Sequence, residues 1–386
     1  MKPGIGIRES GIGRGGDASF AALAQPGIRA LKAYDPGHDL VALRRRSGAG
    51  LVELGANENP YGPSPLALAA ARDALDSAHR YPDPLGGELR QALAARLGVA
   101  PAQLLLGNGS HELLMQFAQV FAGPGAGVAM SQYGFAVYAL AAQATGAPLR
   151  IAPALPAGHA MARGHDVDAL LAAAGTDTRL LYLANPNNPT GTWIGADALA
   201  RLLERLPPEV LVVVDEAYAE FVDAPDYASA LSLLPRYRNL AVTRTFSKAH
   251  ALAGLRIGYA VADAALVAVM ERLRESFNVS AVALAAATAT LQDRAHLQRG
   301  VDANARERVQ LAEALRARGR FVHPSQTNFL LVGFGDATAT VEAALLARGV
   351  VVRPMGGYGL ADCLRISVGT AEENARLLRA LDGAGA

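Results

Sequence analysis

Short apolar runs alternate with amphipathic stretches through the middle of the chain. The amphipathic stretches predict helices at 65–76, 87–97 and 110–121. The apolar runs predict strands at 104–106, 128–130, 180–184, 211–214, 240–243 and 258–261. Runs of this length, bounded by turn residues and separated by helices, are typical of buried strands in a mostly parallel sheet. The pattern therefore predicts an α/β fold in which helices flank a central sheet.

A smaller α+β pattern follows the sheet. The stretch 281–319 predicts a bridging helix whose solvent face is rich in arginine and glutamate, with Arg306, Glu307 and Arg308 on it. Beyond it the pattern predicts a strand at 328–332, a helix at 337–348, strands near 350–353 and 364–368, and a last helix from residue 372. We divide the chain into a flexible arm (1–30), a segment packing on the small domain (31–64), a large domain (65–280), and the bridging helix with the small domain (281–386).

Composition agrees with this plan and narrows the function. A chain of 386 residues, of which 51% are hydrophobic, can bury a large core and is long enough for two domains. A formal charge of +1 provides no electrostatic footprint for nucleic acid. The single cysteine, Cys363, excludes an internal disulfide framework and fits a reducing compartment. No secretory or membrane-spanning segment is visible, so we expect a cytoplasmic protein with neither nucleic-acid nor membrane partners and no metal site.

The run 244–259 carries the most specific chemistry. Lys248 directly follows the hydroxyl of Ser247, and the guanidinium of Arg256 comes eight positions later in a segment punctuated by glycine. An aldehyde cofactor with a phosphate tail needs these groups, because an amine condenses with the aldehyde while a hydroxyl and a guanidinium hold the phosphate. A surface lysine beside a helix-capping serine is the alternative for an isolated Ser-Lys pair. Our hypothesis is a Schiff base between Lys248 and pyridoxal phosphate.

Two motifs at the ends of predicted strands supply contacts for the cofactor ring. Asp215 ends an apolar run, where a carboxylate is costly unless a cation such as a pyridinium nitrogen meets it. A helix N-cap is the alternative role for Asp215. Tyr218 and the amide of Asn188 are placed to hydrogen-bond the ring oxygen. The two prolines and the glycine of 185–191 fix the Asn188 loop, although an Asn-Pro loop can also be a plain turn.

A third motif predicts a phosphate cradle. Gly109, Ser110 and His111 link the strand at 104–106 to an apolar helix, and free amides at a helix N-terminus together with a serine hydroxyl bind phosphate. Many loops between a strand and a helix look alike, so this motif is informative only beside the others. Phe135 and Tyr138 follow the strand at 128–130 and are candidates to stack on a flat ring, with core packing as the alternative.

Taken together, these motifs resemble the fold-type I pyridoxal-phosphate aminotransferases of class II, and among them the histidinol-phosphate aminotransferases. The similarity runs from about residue 31 to the C-terminus and rests on 57–64, 80–83, 185–191, 215–218, 247–256 and 352–360. The resemblance implies a large domain that binds pyridoxal phosphate, a smaller α+β domain, and a homodimer. It also implies that Tyr81 reaches the cofactor phosphate of the neighbouring subunit.

The same resemblance implies the substrate contacts. Arg365 resembles the residue that grips the substrate carboxylate, and the planar fork of an arginine matches a carboxylate or phosphate at two points. Arg353 resembles an additional anion-binding residue, Tyr34 resembles a tyrosine that closes over the substrate phosphate, and Asn57 is implied as a further substrate contact. Surface ion pairing is the alternative for each arginine.

The reaction implied is amino-group transfer between glutamate and imidazole-acetol phosphate, which yields 2-oxoglutarate and L-histidinol phosphate. An aromatic amino acid aminotransferase and a threonine-phosphate decarboxylase are the alternatives on the same scaffold, and Arg353 with Tyr34 favours a phosphorylated substrate. A ligand-sensing regulator would need a basic DNA-binding extension, which the N-terminal arm does not provide. Either Tyr133 or Phe135 could hold the stacking position, and the spacing to Tyr138 favours Phe135.

Overall fold

The structure is a computed structural model, and it describes residues 18–32, 37–47 and 50–383. The strands of these residues, numbered in chain order, are β1 (Val52–Glu53), β2 (Leu104–Gly107), β3 (Gly127–Ser131), β4 (Leu149–Ala152), β5 (Thr178–Ala184), β6 (Leu211–Asp215), β7 (Leu240–Thr245), β8 (Gly258–Ala262), β9 (Phe321–Val322), β10 (Phe329–Gly333), β11 (Val350–Val351), β12 (Arg353–Met355) and β13 (Leu360–Ser367).

The helices of the same residues follow the amphipathic stretches. They are α1 (Ala18–Leu23), α2 (Pro26–Arg29), α3 (Leu40–Ser47), α4 (Pro65–Leu75), α5 (Gly87–Leu97), α6 (Ser110–Phe121), α7 (Ala136–Ala144), α8 (Val167–Ala173), α9 (Ala196–Arg205), α10 (Ala264–Met270), α11 (Ala281–Thr290), α12 (Arg294–Ala317), α13 (Thr338–Ala347) and α14 (Ala371–Asp382). Among the described residues, no helix combines the length and the apolar character that a membrane crossing requires.

A seven-stranded sheet in the order β2-β8-β7-β6-β5-β3-β4 forms the centre of the fold. Its strands are parallel except for β8, which runs antiparallel to both β2 and β7. The predicted α/β fold with a mostly parallel sheet is thereby confirmed. The edge strand β4 was missed, because its side chains are mostly half-buried or exposed and its short Leu-Arg-Ile-Ala run lacks the apolar character of the inner strands.

Helices cover both faces of this sheet, which explains the continuous apolar runs. Along β5, Leu181 and Leu183 pack toward one face with residues of α4, α5, α8, α9 and α11. Leu180 and Tyr182 alternate with them and pack toward the other face with residues of α6, α7 and α10. Nearly all positions of the inner strands are therefore buried on one side or the other, with Arg179 of β5 as an exposed exception.

The register of the inner strands determines where the motifs meet. Ala184 at the end of β5 pairs with Asp215 at the end of β6, and Asp215 pairs with Thr243 near the end of β7. The chain then turns through 246–257 and returns along the antiparallel strand β8. The Asn-Pro loop, Asp215 and the lysine run therefore lie at one edge of the sheet, as ligand sites on such sheets do.

A second, four-stranded antiparallel sheet, in the order β12-β13-β10-β9, packs with α12, α13 and α14. The N-terminal segment joins this unit: Val52 of β1 pairs with Val350 of β11, and Leu54 lies in the same apolar cluster. The predicted strand near 350–353 is in fact two strands, since β11 pairs with β1 while β12 pairs with β13.

The predicted helix at 281–319 is divided in two. The helix α11 ends at Thr290, and Asp293 caps α12 by accepting a hydrogen bond from the amide of His296. Arg308 was placed on a solvent face, and that placement is wrong: it is 4% exposed, and its guanidinium bonds both carboxylate oxygens of Asp223 at 3.0 and 3.1 Å. Burial against a carboxylate partner accounts for a charge inside the protein.

Candidate active site

Loops at this edge of the central sheet enclose a cavity of about 210 Å³. Most residues singled out from the sequence line it together: Asn57, Ser110, His111, Phe135, Asn188, Asp215, Tyr218, Ser247, Lys248, Arg256 and Arg365. The remaining wall is formed by Ala56, Ala184, Pro186, Ala217, Thr245 and Ala253. Side chains from loops more than 300 positions apart in sequence thus converge on one small volume.

Three of the predicted site residues lie outside the cavity wall, and a fourth falls outside the described residues. Gly109 lies just behind the wall, against the guanidinium of Arg256. Tyr81 lies on the surface, 82% exposed, with its ring stacked on Phe277 at 4.6 Å. Arg353 is directly opposite Arg365 on β12 and β13, and its guanidinium packs against Gly37. Tyr34 lies outside the described residues.

Asp215 lies at the floor of the cavity and is almost completely buried. Its carboxylate accepts hydrogen bonds from the hydroxyls of Tyr138 at 2.9 Å and Thr243 at 3.1 Å. Burial raises the pKa of Asp215 to about 6, and the two hydroxyls oppose that rise because they stabilise the ionised form. A carboxylate in this position is suited to hold a cationic ring nitrogen.

Tyr138 therefore has a role that the sequence did not suggest. It was considered for stacking on a flat ring, but it is fully buried, stacked on Tyr182 at 4.8 Å, and bonded to Asp215. Phe135, three residues earlier, lines the cavity instead. Tyr133 packs beside Met355 and Leu360 and is not among the lining residues. Thr243 and Thr245 were also missed, since a threonine within a strand gives no signal of its own.

Lys248 projects into the cavity from the turn after β7. Its Nζ donates to the carbonyl oxygens of Asn57 at 3.1 Å and Ala56 at 3.3 Å, and it lies 5.9 Å from the centre of the Tyr218 ring. Burial, followed by the positive charge of Arg365, lowers the pKa of Lys248 to about 8. An amine with such a pKa is neutral often enough near pH 7 to act as a nucleophile or a base.

Lysine is rare in this protein, so the presence of one in the cavity is informative. Only three lysines occur in the sequence, at positions 2, 32 and 248. Lys32 is exposed, and Lys2 lies outside the described residues. Lys248 is consequently the one lysine of the described residues that faces the cavity.

The far end of the cavity is built for an anion. Gly109, at a φ of +79°, precedes the first residue of α6, Ser110, so amides of that helix end face the cavity beside Arg256. A Cβ on Gly109 would lie 2.6 Å from the guanidinium of Arg256, and one on Gly258 would lie 2.5 Å from the amide of Ser110. Glycine at both positions permits this close approach of strand, turn and guanidinium.

Two neighbours complete the cradle. The hydroxyl of Ser247 accepts a hydrogen bond from that of Thr245 at 2.9 Å, which leaves the Ser247 proton for a ligand. Burial and the nearby charge of Arg256 lower the pKa of His111, so its ring is neutral at physiological pH. A phosphate would therefore find hydroxyl, amide and guanidinium donors.

The amide of Asn188 has a defined orientation. Its Oδ1 accepts a hydrogen bond from Arg365 at 2.7 Å. Because arginine can only donate, the oxygen must face Arg365 and the NH₂ group must face the other way. A second nitrogen of Arg365 donates to the carbonyl of Gly55 at 2.8 Å. Arg365 thus ties the Asn-Pro loop and the N-terminal segment to β13.

Asn57 and Tyr218 are bonded to each other in the cavity wall. The Asn57 amide donates to the hydroxyl of Tyr218 at 3.0 Å, and the Asn57 carbonyl accepts from both Lys248 and Asn328. Asn57 has a φ of +56°, a conformation that asparagine tolerates better than most residues. This conformation lets one residue contact the tyrosine and the lysine at the same time.

These residues fit pyridoxal phosphate from one end to the other. Asp215 meets the need for a buried anion opposite a ring nitrogen, and the glycine-lined cradle meets the need for phosphate donors. The amine of Lys248 lies on the same cavity wall as both.

Comparison with known proteins agrees with this fit. The family model described as aminotransferase class I and II matches residues 49–381. Histidinol-phosphate aminotransferase 2 of Pseudomonas aeruginosa is 46% identical over 367 residues, which cover 94% of this chain and 98% of that protein. Histidinol-phosphate aminotransferase 1 of Nitrosococcus oceani is also 46% identical, with 95% and 98% covered.

Solved structures give the same picture of the fold. The histidinol-phosphate aminotransferase of Sinorhizobium meliloti, in complex with pyridoxal-5′-phosphate, superposes with a TM-score of 0.83 at 33% identity, covering 93% of this chain and 96% of that one. L-threonine-O-3-phosphate decarboxylase of Porphyromonas gingivalis superposes with a TM-score of 0.75 at 25% identity, covering 86% and 99%.

We expect Tyr138→Phe to widen the pH range over which ionisation of Asp215 lowers the free energy of unfolding of the cofactor-free protein. The folded-state pKa of Asp215 is raised to about 6 from 3.8, so the free energy of unfolding falls as pH rises between these values. Loss of the Tyr138 hydroxyl raises that pKa further and moves the end of the fall upward by about one pH unit. Urea unfolding from pH 4 to 8 measures this, with Tyr237→Phe as control; parallel profiles for the two variants would contradict it.

Proposed function

Since the chain belongs to the class I and II aminotransferase family, we propose that it transfers an amino group between glutamate and imidazole-acetol phosphate, giving 2-oxoglutarate and L-histidinol phosphate, as in histidine biosynthesis. One observation carries the proposal: a lysine amine and a buried aspartate share a cavity with a phosphate cradle and a substrate-facing arginine. Pyridoxal phosphate, when bound there, supplies an aldehyde for the amine and a ring that withdraws electrons from the substrate Cα.

Lys248 performs the proton transfer in this proposal. Its lowered pKa, about 8, leaves part of the population neutral, and an amine displaced by the substrate can take the proton from the substrate Cα. The same Nζ would carry this proton and release it again within the cavity, so that one residue serves as both base and acid. The carbonyls of Ala56 and Asn57 hold the amine on this side of the cavity between the two events.

The other lining residues hold and tune the cofactor. Asp215 would keep the ring nitrogen protonated, and the Asn188 NH₂ group and the Tyr218 hydroxyl would be donors for the ring oxygen. Phe135, which lines the same cavity, would supply an apolar face for the ring. The phosphate is held by a set of donors at the far end of the cavity, namely Gly109, Ser110, His111, Ser247 and Arg256.

We assign the binding of the anionic substrate groups to two arginines of the four-stranded sheet, Arg365 and Arg353. Arg365 receives the glutamate carboxylate in one half-reaction and an anionic group of histidinol phosphate in the other, with Asn57 beside it. Arg353 lies directly across from Arg365 on the neighbouring strand, so two guanidinium groups project from the same face of the sheet. Paired guanidinium groups favour a substrate with a phosphate in addition to its other polar groups. Tyr34 is proposed to close over that phosphate.

We further propose that two copies of the chain form a homodimer with shared active sites. Tyr81 and Phe277 stack on the surface, and apolar side chains nearby in sequence, Leu85 and Leu273, are also more than two-fifths exposed. Exposed apolar side chains grouped in this way are typical of a contact surface. In the dimer, Tyr81 of one subunit would reach the cofactor phosphate of the other.

We propose a cytoplasmic location from the number and state of the cysteines. Cys363 is buried, and burial raises the pKa of its thiol to about 11, so the thiol stays protonated and unreactive. With a single cysteine in the sequence, no internal disulfide can form. These features agree with the reducing cytoplasm.

Replacement of Lys248 by alanine is expected to lower turnover by about a thousandfold or more, because Lys248 is the one lysine of the described residues that lines the cavity. Borohydride reduction of the wild-type holoenzyme should attach a pyridoxyl group to the peptide that contains Lys248, detected by mass spectrometry. Lys32→Ala serves as control and should keep both activity and adduct. A Lys248→Ala protein with normal turnover, or an adduct at Lys32, would exclude the assigned role.

The substrate assignment predicts a clear preference. With 2-oxoglutarate as acceptor, histidinol phosphate should react at least about tenfold faster per unit concentration than phenylalanine, and threonine phosphate should release no carbon dioxide. Arg353→Gln should reduce this preference mainly by raising the KM for histidinol phosphate. Equal rates on phenylalanine would favour the aromatic aminotransferase, and carbon dioxide release would favour the decarboxylase.

Mixing two inactive variants tests the shared site. A hybrid of a Lys248→Ala subunit and a Tyr81→Ala subunit has one site with both wild-type residues only if Tyr81 acts across the interface. Random reassortment should then restore about one quarter of wild-type activity. Each variant alone, at the same total concentration, is the control. A mixture that stays inactive although sedimentation finds dimers would contradict the shared site.

A further inference from the structure

Residues 163–165, which we name the 163–165 strap, join two parts of the active site without lining the cavity. Arg163 contacts β13, the strand that carries Arg365. Gly164 and His165 contact the two ends of the loop that carries Asn188. These three consecutive residues therefore connect the loop of the cofactor-orienting amide to the strand of the substrate-gripping guanidinium.

Arg163 forms the link to β13. Its guanidinium donates to the carboxylate of Asp362 at 2.6 Å and to the thiol sulfur of Cys363 at 2.8 Å. The Arg163 side chain is 17% exposed and that of Asp362 is 46% exposed, so the guanidinium is partly shielded from water while the carboxylate is not. The second bond, from the guanidinium to the buried Cys363, adds a contact inside the protein.

The backbone at Arg163 is held in a strained conformation. Its φ is +61°, in the left-handed region that is unfavourable for a residue with a side chain. Two backbone hydrogen bonds fix the conformation: the Arg163 amide donates to the Leu155 carbonyl, and the Leu155 amide donates to the Gly164 carbonyl. A strained residue held so firmly in place points to a positional requirement for its side chain.

His165 and Gly164 form the links to the Asn188 loop. The buried His165 places Nε2 at 2.7 Å from the carbonyl of Ala184, the last residue of β5 before the loop. Since that carbonyl can only accept, Nε2 must carry the proton. Burial lowers the pKa of His165 to about 4, so the ring stays neutral. At the other end of the loop, the hydroxyl of Thr192 lies 3.1 Å from where a Cβ of Gly164 would be.

These contacts close a ring of interactions through the active site. From the Asn188 loop the ring runs through the strap to Asp362 and Cys363, then two residues along β13 to Arg365. Arg365 returns to the loop through its 2.7 Å bond to Asn188. Displacement of either the loop or β13 would break at least one of these contacts.

We propose that the 163–165 strap is a positioning device for Arg365, with Arg163 as its key positioning residue. The strap fixes the distance between β13 and the Asn188 loop, so that Arg365 presents its guanidinium to the substrate carboxylate while it stays bonded to Asn188. The identity of this anion as a carboxylate rests on the proposed function. The strap does not touch Asp215, Lys248 or the phosphate cradle, which supply most of the proposed cofactor contacts, so its loss should weaken substrate binding much more than cofactor binding.

The test uses the holoenzyme with two substitutions on opposite sides of the ion pair. Arg163→Gly removes the guanidinium and places glycine where φ is positive, so the variant gains backbone freedom without local strain. Asp362→Asn removes the acceptor charge and leaves Arg163 in place. For both we expect the KM for glutamate and the Kd for 2-oxoglutarate, measured by calorimetry, to rise on the order of tenfold, with kcat and pyridoxal phosphate affinity within about twofold of wild type.

A matched control and a double variant sharpen the result. Arg150→Gln breaks another partly exposed ion pair, with Asp177, that lies on the large sheet and does not contact β13. It should leave the KM and the Kd unchanged. The double variant Arg163→Gly with Asp362→Asn should be no worse than either single variant, because both remove the same interaction.

Two outcomes would overturn the inference. Wild-type KM and Kd in both variants would mean that Arg365 does not depend on the strap. Parallel loss of cofactor affinity and substrate affinity would mean that Arg163 only stabilises the fold. If the wild-type holoenzyme neither transaminates glutamate nor binds 2-oxoglutarate, the proposed function is contradicted, and the inference with it. Wild-type activity with unaffected variants contradicts the strap alone.

Discussion

A carboxylate buried at the end of a central strand is the constraint on which the active site depends. Asp215 is almost completely buried, and two hydroxyl groups replace only part of the solvation that its carboxylate would have in water. A cationic ring nitrogen removes the remaining cost, so the protein is better suited to the cofactor-bound state than to the empty one. The same burial that raises the pKa of Asp215 lowers that of Lys248. Burial in one cavity thus shifts the pKa values of the carboxyl group and of the amine in opposite directions.

The directions of the central strands bring the other site residues to the same edge of the sheet as Asp215. Three parallel strands bring Ala184, Asp215 and Thr243 into register at or near their carboxyl ends, and the antiparallel return of β8 brings the turn with Lys248 and Arg256 back to the same edge. Glycines at 109 and 258 let the phosphate cradle approach this turn closely. Arg365 reaches the same cavity from β13 of the four-stranded sheet. Each functional side chain is therefore placed by backbone geometry, and little adjustment is left to the side chains themselves.

The sequence predicted those parts of the structure that local patterns encode. Fully buried strands such as β6 produce unbroken apolar runs, and Lys248, Asp215 and Asn188 stand in motifs with fixed spacing. Contacts that join distant segments could not be predicted in this way. The bond of Tyr138 to Asp215 spans 77 positions, that of Arg163 to Asp362 spans 199, and the burial of Arg308 depends on Asp223, 85 positions away. A charged or aromatic side chain does not reveal its partner from its own neighbourhood.

The scarcity of lysine has a consequence for the chemistry of the whole molecule. Aldehydes condense with any accessible primary amine, and in this chain arginine provides nearly all of the surface cation. Free vitamin B6 aldehyde therefore meets few competing amines on the protein surface. Amine-directed labels, crosslinkers and surface-coupling reagents will find equally few points of attachment, so a fluorescent aldehyde could report the accessibility of Lys248 with little background.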